Sequence, residues 1–180
     1  MTPGKKRIDP KKRAQDVLAE LDITRGPVAV GDIVHSKGIT VRFVPLEADL
    51  SGMIFMKGGA VIIVNSLHHP NRQRFTLAHE LGHFEMHMKE IGAEVHVDKK
   101  FLAFARDGKS SLGWDRKEIE ANRFAAELLV PQQFLIQELR GRIIDVENEG
   151  LVTELADKFQ VSGQMMTFRI AELAESGYRS

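Results

Sequence analysis

The spacing of apolar residues near the N-terminus predicts two short helices. Asp9 followed by Pro10 supplies an N-cap and a first-turn residue for the first helix. The apolar residues that then recur at helical spacing are Ala14, Val17, Leu18 and Leu21. A second helix is predicted from Val30 to His35, and it should end near Gly38.

The next segments are rich in Val, Ile and Phe, a composition typical of strands. These predicted strands are Ile39–Val44, Gly52–Met56 and Ala60–Val64. Gly58 and Gly59 lie between the last two strands, and paired glycines favour a hairpin turn. The three segments therefore predict a small, mostly antiparallel sheet.

Helical periodicity dominates the rest of the chain. Pro70 opens a helix that runs to about Met88. The stretch Glu90–Gly113 mixes charges and glycines around the apolar patch Phe101–Phe104, and it is predicted as a long loop with a little local structure. Further helices are predicted at Asp115–Val130, Pro131–Arg140, Leu151–Phe159 and Ser162–Ala174.

This order of elements predicts an α+β fold in which the sheet packs on the helix that Pro70 opens. A chain of 180 residues, 43% of them apolar, is long enough for one substantial core. We divide it into a basic tail and N-terminal helix (1–26), a main domain (27–140) and a C-terminal helical pair packed on the same core (141–180).

Charge and cysteine content exclude several classes of function. Lys plus Arg and Asp plus Glu both total 25, so no net field attracts the whole chain to nucleic acid or membrane. Because there is no cysteine, a disulfide scaffold, a thiolate zinc site and a cysteine nucleophile are all excluded. We find no signal peptide and no apolar run that could span a bilayer, and we expect a cytoplasmic protein.

His79, Glu80 and His83 form a His-Glu-x-x-His pattern on the helix that follows Pro70. Four-residue spacing puts both imidazoles on one helix face, where they can bind one metal ion. Catalytic zinc sites usually have three protein ligands and an open position for water. Glu80 is the candidate general base that takes a proton from that water, which predicts zinc-dependent peptide hydrolysis.

A third ligand is predicted on the helix from Asp115 to Val130. Helical spacing puts Glu120, Arg123 and Glu127 on one solvated face and Glu118 on the opposite, apolar face. A carboxylate there is costly unless it is paired or bound to metal. Asn122, one turn after Glu118 on the same face, can accept a hydrogen bond from a ligand histidine and orient it.

Two alternatives remain open for this helix. Glu118 could instead complete a capping box with Asp115, a use that needs no metal. Glu120 is the alternative metal ligand.

The other histidines are weaker candidates. His87 continues the row of His79 and His83 by one more turn, but three imidazoles in such a row converge poorly on one ion. We therefore expect His87 to contact a ligand or the substrate, and His96, between the two site helices, is a further candidate of this kind. Two more, His68 and His69, could face the oxyanion of the reaction, although single histidines are usually ordinary surface residues.

Taken together, the two site helices resemble the ImmA/IrrE family of metallopeptidases. The resemblance rests on FTLAHELGH at Phe75–His83, with His87 following, and on EIEANRFAAELLVP at Glu118–Pro131. Looser similarity extends from about Pro27 over most of the chain. The resemblance implies a zincin-like domain with a gluzincin-like zinc site, whose ligand positions match His79, His83 and Glu118 and whose catalytic base matches Glu80.

Members of that family are typically regulatory proteases of bacteria, phages and mobile elements. They cleave or inactivate a helix-turn-helix transcriptional repressor, sometimes in response to DNA damage. The resemblance therefore implies an Xre-like repressor as the protein substrate. Related gluzincins often have Asp where this chain has Asn122. The neutral amide of Asn122 would orient a histidine without adding charge.

Two other functions compete with proteolysis. Leu155–Ser162 and the helix after it have the rhythm of a helix-turn-helix unit, which would suit a DNA-binding regulator with a structural metal. Its candidate recognition helix, however, offers only Gln164, Thr167 and Arg169 as polar contacts. A non-proteolytic antagonist that binds and inactivates a repressor is the second competitor, and an intact Glu80 weighs against it.

Overall fold

The computed structural model describes residues 8–56, 58–91, 96–98, 114–142 and 148–177, except for the side chains of 88–91, 96–98, 114 and 115. Its elements are α1 Pro10–Glu20, α2 Val30–Ser36, β1 Thr40–Val44, β2 Gly52–Met56, β3 Ala60–Asn65, α3 Pro70–Ile91, β4 His96–Asp98, α4 Trp114–Leu129, α5 Gln132–Leu139, α6 Glu149–Phe159 and α7 Gly163–Glu175. The basic segment before Ile8, the Phe101–Phe104 patch and Tyr178 lie outside the described residues.

The predicted α+β class is confirmed, and the predicted elements begin and end within a few residues of the observed ones. The Asp9 carboxylate caps α1 by accepting a hydrogen bond from the backbone N–H of Lys12, as the sequence predicts. One strand was not predicted: β4 falls within the stretch assigned to a loop. At three residues, β4 is too short to show a strand periodicity in the sequence.

The four strands form one mixed sheet in the order β1-β3-β2-β4. β2 is antiparallel to both β3 and β4, whereas β1 is parallel to β3. Alternate residues of the central strands are fully buried, among them Ile54, Ile62 and Val64. Since β2 and β3 both contact α3, this buried face packs on the helix that carries the histidine motif.

α3 lies between the sheet and α4, and α1 packs across α3 and α4. The largest side chains buried between these elements include Leu81, Phe124 and Leu128. Apolar residues of α6 and α7, such as Leu155 and Ile170, belong to the same continuous core cluster. The central element of the fold is therefore α3, which contacts both the sheet and the helical layer.

A cluster of charges fixes α1 and α2 to α3. Arg13 of α1 donates from Nε to the Glu85 carboxylate of α3 at 2.9 Å, and Lys37 lies 2.9 Å from the other Glu85 oxygen. Burial alone would lower the pKa of the Lys37 ammonium, but its bonds to Glu85 and Glu20 outweigh this effect and raise the pKa. Lys37 therefore stays protonated and holds the α2 end against α3.

Glu127 is buried and the Glu120 side chain is only 12% exposed, which corrects the prediction that both share a solvated face with Arg123. The Glu127 side chain is 1% exposed and pairs with Arg169 of α7, which is 2% exposed. Glu127 also accepts hydrogen bonds from Gln15 and from the backbone of Gln132. Helical spacing within α4 does not reveal this burial, because the side-chain partners of Glu127 come from α1 and α7, elsewhere in the chain.

The turn between α6 and α7 is bound to the start of α3. Asn71 donates to the carbonyl of Val161 at 2.9 Å, and Arg74 donates to the carbonyl of Gln160 at 3.2 Å. Gln160 itself adopts the left-handed conformation with φ of 55°. These bonds place the C-terminal pair beside the first turns of the histidine helix.

Within the described ranges, no helix combines the length and apolar character needed to cross a membrane.

Candidate metal centre

His79 and His83 lie one turn apart on α3 and are almost fully buried. Their Nε2 atoms are 3.0 Å apart, and the ring centroids are 4.7 Å apart. Phe75, one turn earlier, stacks on the His79 ring with centroids 6.4 Å apart. The helical spacing therefore aims one nitrogen of each imidazole at the same point.

The approach of α4 to α3 depends on Gly82, between the two histidines. A Cβ at this position would lie 3.0 Å from Phe124 and 3.3 Å from the Cα of Ala121. Glycine thus allows the two helices to pack closely at the turn that carries the site. The close packing brings Glu118 and Asn122 of α4 within reach of the histidines.

Glu118 extends its carboxylate to both imidazoles. One oxygen is 3.2 Å from His79 Nε2, and the other is 3.3 Å from His83 Nε2. The three side chains offer donor atoms that all lie within 4.8 Å of one another. The carboxylate thus lies against the histidines rather than back at the N-terminus of α4, which favours the predicted ligand role over the capping box.

The distances fit a divalent metal ion. A tetrahedral zinc ion with bonds of about 2.0–2.1 Å places its ligand atoms about 3.3 Å apart. The observed edges of 3.0, 3.2 and 3.3 Å are close to that value. Two imidazole lone pairs and a carboxylate that converge this closely repel one another unless a cation lies among them. The donor set therefore suits a bound metal.

Asn122 orients His79. Its Oδ1 lies 2.9 Å from His79 Nδ1, and an amide oxygen only accepts hydrogen bonds, so Nδ1 carries the proton. In the neutral imidazole, Nε2 is then left with a free lone pair directed at the metal position. Asn122 thus has the place that the sequence predicts for it.

His83 is oriented differently, through His87 and Glu120. His83 Nδ1 lies 3.2 Å from His87 Nδ1, and His87 Nε2 lies 3.1 Å from a Glu120 oxygen. The second Glu120 oxygen accepts from Arg116 at 3.1 Å. Glu120 therefore contacts His87 instead of joining the three converging side chains, which argues against the alternative that it is a ligand.

Glu80 is fully buried on a neighbouring face of α3, toward β2. A Cβ at Gly52 of β2 would lie 3.8 Å from a Glu80 oxygen and 2.5 Å from the Thr76 methyl group. Glycine at position 52 therefore leaves room for β2 to pass close to the Glu80 carboxylate. No local pattern in the sequence indicates this role of Gly52, because it depends on how closely β2 passes α3.

The remaining histidine candidates lie apart from this cluster or in regions with limited description. His68 Nε2 lies 3.3 Å from the carbonyl oxygen of Ala48, and His69 Nδ1 accepts from the backbone of Asn71 at 3.2 Å. The His68 imidazole thus contacts the loop between β1 and β2, and the His69 imidazole contacts the first turn of α3. The backbone of His96 belongs to β4 opposite Ile54, and its side chain is outside the described part of the structure.

Comparisons with known proteins agree with the geometry. The sequence profile of the IrrE N-terminal-like domain, peptidase family M78, matches residues 34–171. A solved structure of a Mycobacterium tuberculosis transcriptional regulator is similar with a TM-score of 0.59 and 16% identity, over 89% of this chain and 46% of that chain. The chain thus spans less than half of that regulator, and the likeness concerns the fold alone. No curated protein matches the sequence.

Proposed function

Because the chain belongs to the IrrE N-terminal-like domain family of peptidases, we propose that it is a zinc-dependent endopeptidase. The observation that carries this proposal is the convergence of His79, His83 and Glu118 beside the buried Glu80. A structural metal site needs no base next to it, and it usually has four protein ligands. The described residues offer three, which leaves one position for water or substrate.

Each side chain then has a distinct role. His79, His83 and Glu118 hold the metal, while Asn122 and His87 orient the two histidines. When bound, zinc supplies a Lewis acid that polarises the substrate carbonyl and lowers the pKa of water. Glu80 takes a proton from the attacking water as the new C–O bond forms, and it passes that proton to the amide nitrogen as the C–N bond breaks.

We further propose that the substrate is a cytoplasmic regulatory protein, with a helix-turn-helix repressor of the Xre-like class as the first candidate. Two findings support this choice. The family named for IrrE matches most of the chain, and the similar solved structure is described as a transcriptional regulator.

The structure weakens the competing DNA-binding hypothesis. Arg169, the only cation among the three candidate contacts, is buried against Glu127. The other two, Gln164 and Thr167, line a cavity beside α3. Without an exposed cation, this helix lacks the charge that normally attracts the phosphate backbone.

The non-proteolytic antagonist remains the second candidate, and the buried Glu80 disfavours it.

The deciding experiment maps new protein N-termini by mass spectrometry in host cells that express either the wild type or Glu80→Gln. The substitution removes the base but keeps a side chain of nearly the same shape, so we expect the fold and the metal to be retained. General-base catalysis is typically worth about 10²- to 10⁴-fold in rate. New termini in a helix-turn-helix repressor should therefore appear with the wild type alone.

Metal content of both purified proteins, measured by mass spectrometry, is the control for this comparison. If the two proteins bind zinc equally and the termini are the same under normal and DNA-damaging conditions, the endopeptidase proposal is wrong. Relief of repression by both proteins would then identify the antagonist.

A further inference from the structure

A cavity of about 700 Å³ lies where the first turns of α3 meet α4 and the α6–α7 pair. Its walls include Phe75 of α3, Ala126 of α4, Ala156 of α6, and Met165 and Phe168 of α7. Polar residues such as Asp157 and Gln164 also line it. Ligand pockets typically have volumes of about 300–1,000 Å³, mostly apolar walls and a few polar groups. This cavity therefore has the size and chemistry of a binding pocket.

The position of the cavity is held by specific bonds rather than left by loose packing. Asn71 and Arg74 bind the carbonyls of Val161 and Gln160 in the turn between α6 and α7. Arg169 of α7 donates to the carbonyl of Val130, between α4 and α5. The outer wall is thus fixed to both α3 and the end of α4.

The cavity is next to the candidate metal centre. Phe75 lines it and also stacks on His79, whose Nε2 is directed at the metal position. Four residues of helix span about 6 Å, and an extended peptide advances about 3.3 Å per residue. A substrate chain cleaved at the metal would therefore reach the cavity within a few residues of the scissile bond.

We infer that this cavity binds large apolar side chains of the substrate protein beside the scissile bond, and that the α6–α7 pair is its outer wall. The inference rests on the proposed endopeptidase function. It accounts for a helix-turn-helix rhythm in this pair in which Gln164 and Thr167 line the cavity and Arg169 is buried. Methionine at position 165 suits such a role, because its flexible thioether adapts to different apolar partners.

Gly163 offers a direct test because it lines the cavity and a Cβ built on it would meet nothing within 4 Å. Gly163→Trp would therefore fill space in the cavity without a backbone clash. The matched control is Gly31→Trp, at a helical glycine of α2 whose Cβ also meets nothing within 4 Å. Tm and zinc content of both variants should equal those of the wild type.

The first measurement uses a peptide library made by digesting a denatured bacterial proteome, with cleavage sites identified by mass spectrometry. The wild type should require Leu, Met or Phe at one fixed position near the cleaved bond. Gly163→Trp should lower kcat/KM for such peptides roughly 10- to 200-fold, mainly through KM, since a hydrophobic pocket discriminates by about that factor. Gly31→Trp should behave as the wild type.

A second measurement separates this inference from the proposed function. Methionine methyl NMR of Glu80→Gln is recorded with acetyl-leucine amide and, as a control, acetyl-glutamate amide. The Met165 methyl signal should shift with the leucine compound alone, while that of Met53 in β2 should not move. If the wild type cleaves no peptide but Met165 of Glu80→Gln shifts, the endopeptidase proposal fails, and the cavity is a binding site for apolar side chains without a scissile bond beside it. If Met165 does not respond, or cleavage shows no apolar preference, the cavity inference is overturned.

Discussion

The two candidate histidine ligands have different partners, and this difference predicts unequal roles in metal binding. His79 donates to the neutral amide of Asn122. His83 lies against His87, which in turn bonds to the carboxylate of Glu120. If His83 Nδ1 carries the proton, His87 accepts a hydrogen bond from it at Nδ1 and donates from Nε2 to the Glu120 carboxylate. The negative charge of Glu120 then raises the basicity of His83 through His87.

We predict that Glu120→Gln and His87→Ala each weaken zinc binding roughly 10- to 100-fold, the usual cost of losing a group that supports a metal ligand. Competition with a zinc chelator of known affinity measures the change. Because both residues act through His83, the double variant should be little weaker than His87→Ala alone. Arg123→Gln, at an exposed position of the same helix, is the control.

A glycine in β2 sets the distance between the sheet and the base. A Cβ at Gly52 would lie 2.5 Å from the Thr76 methyl group and 2.7 Å from the carbonyl oxygen of Ile63. We predict that Gly52→Ala lowers the free energy of unfolding by about 1–3 kcal/mol, the usual cost of overpacking. Urea denaturation followed by circular dichroism measures it.

The matched control for this substitution is Gly31→Ala, where an added Cβ meets nothing within 4 Å. Its stability should be unchanged or slightly increased, because alanine favours a helix over glycine. Adding Thr76→Ser to Gly52→Ala removes one of the two clashes and should restore part of the loss. Equal stability of Gly52→Ala and wild type would show that β2 does not constrain α3.

At the scale of elements, one buried ion pair joins the helical layer. Glu127 of α4 binds Arg169 of α7, and both are almost fully buried. Arg169 also donates to the carbonyl of Val130, just before α5. Replacing only one partner leaves the other charge buried without a counter-ion, whereas replacing both partners avoids that penalty.

We predict that Arg169→Met lowers the free energy of unfolding by roughly 3–5 kcal/mol, as for other broken buried pairs. The double variant Arg169→Met with Glu127→Gln should recover part of this loss, because no buried charge then lacks a partner. Chemical denaturation of the three proteins tests both statements. Lys158→Met breaks the more exposed pair with Glu138 and should cost at most about 1 kcal/mol.

For the whole molecule, metal binding and folding are linked, because the three candidate ligands come from two helices of one core. Free zinc at 100 times its Kd should add about 2.7 kcal/mol of stability. For a chain of this size, that corresponds to a Tm increase of roughly 5–11 °C. Thermal denaturation of chelator-treated protein, with and without added zinc, measures the shift.

Variants at the site give this experiment its controls. Glu80→Gln should keep the zinc-dependent shift, because the base is not among the proposed ligands. Glu118→Ala should lose most of it. If Glu118→Ala kept the full shift in Tm while Glu120→Ala abolished it, Glu120 and not Glu118 would be the third ligand.

The sequence by itself determined the elements other than β4, and the types of side chain at the site. Periodicity located the helices, paired glycines located the hairpin, and four-residue spacing put His79 and His83 on one face. These features are local, since they depend on residues a few positions apart in one helix or turn. The third candidate, Glu118, also followed from its place on an apolar helix face.

Only the tertiary structure decided which elements meet and how closely they pack. Glu127 was predicted to be solvated but is buried, because Gln15 of α1 and Arg169 of α7 bind its carboxylate. Glu120 was a possible ligand, yet the crossing of α3 and α4 brings it to His87. The roles of Gly52 and Gly82 and the cavity beside Phe75 likewise depend on contacts between residues far apart in the chain. Such contacts are set by the packing of the whole core, and no local pattern in the sequence records them.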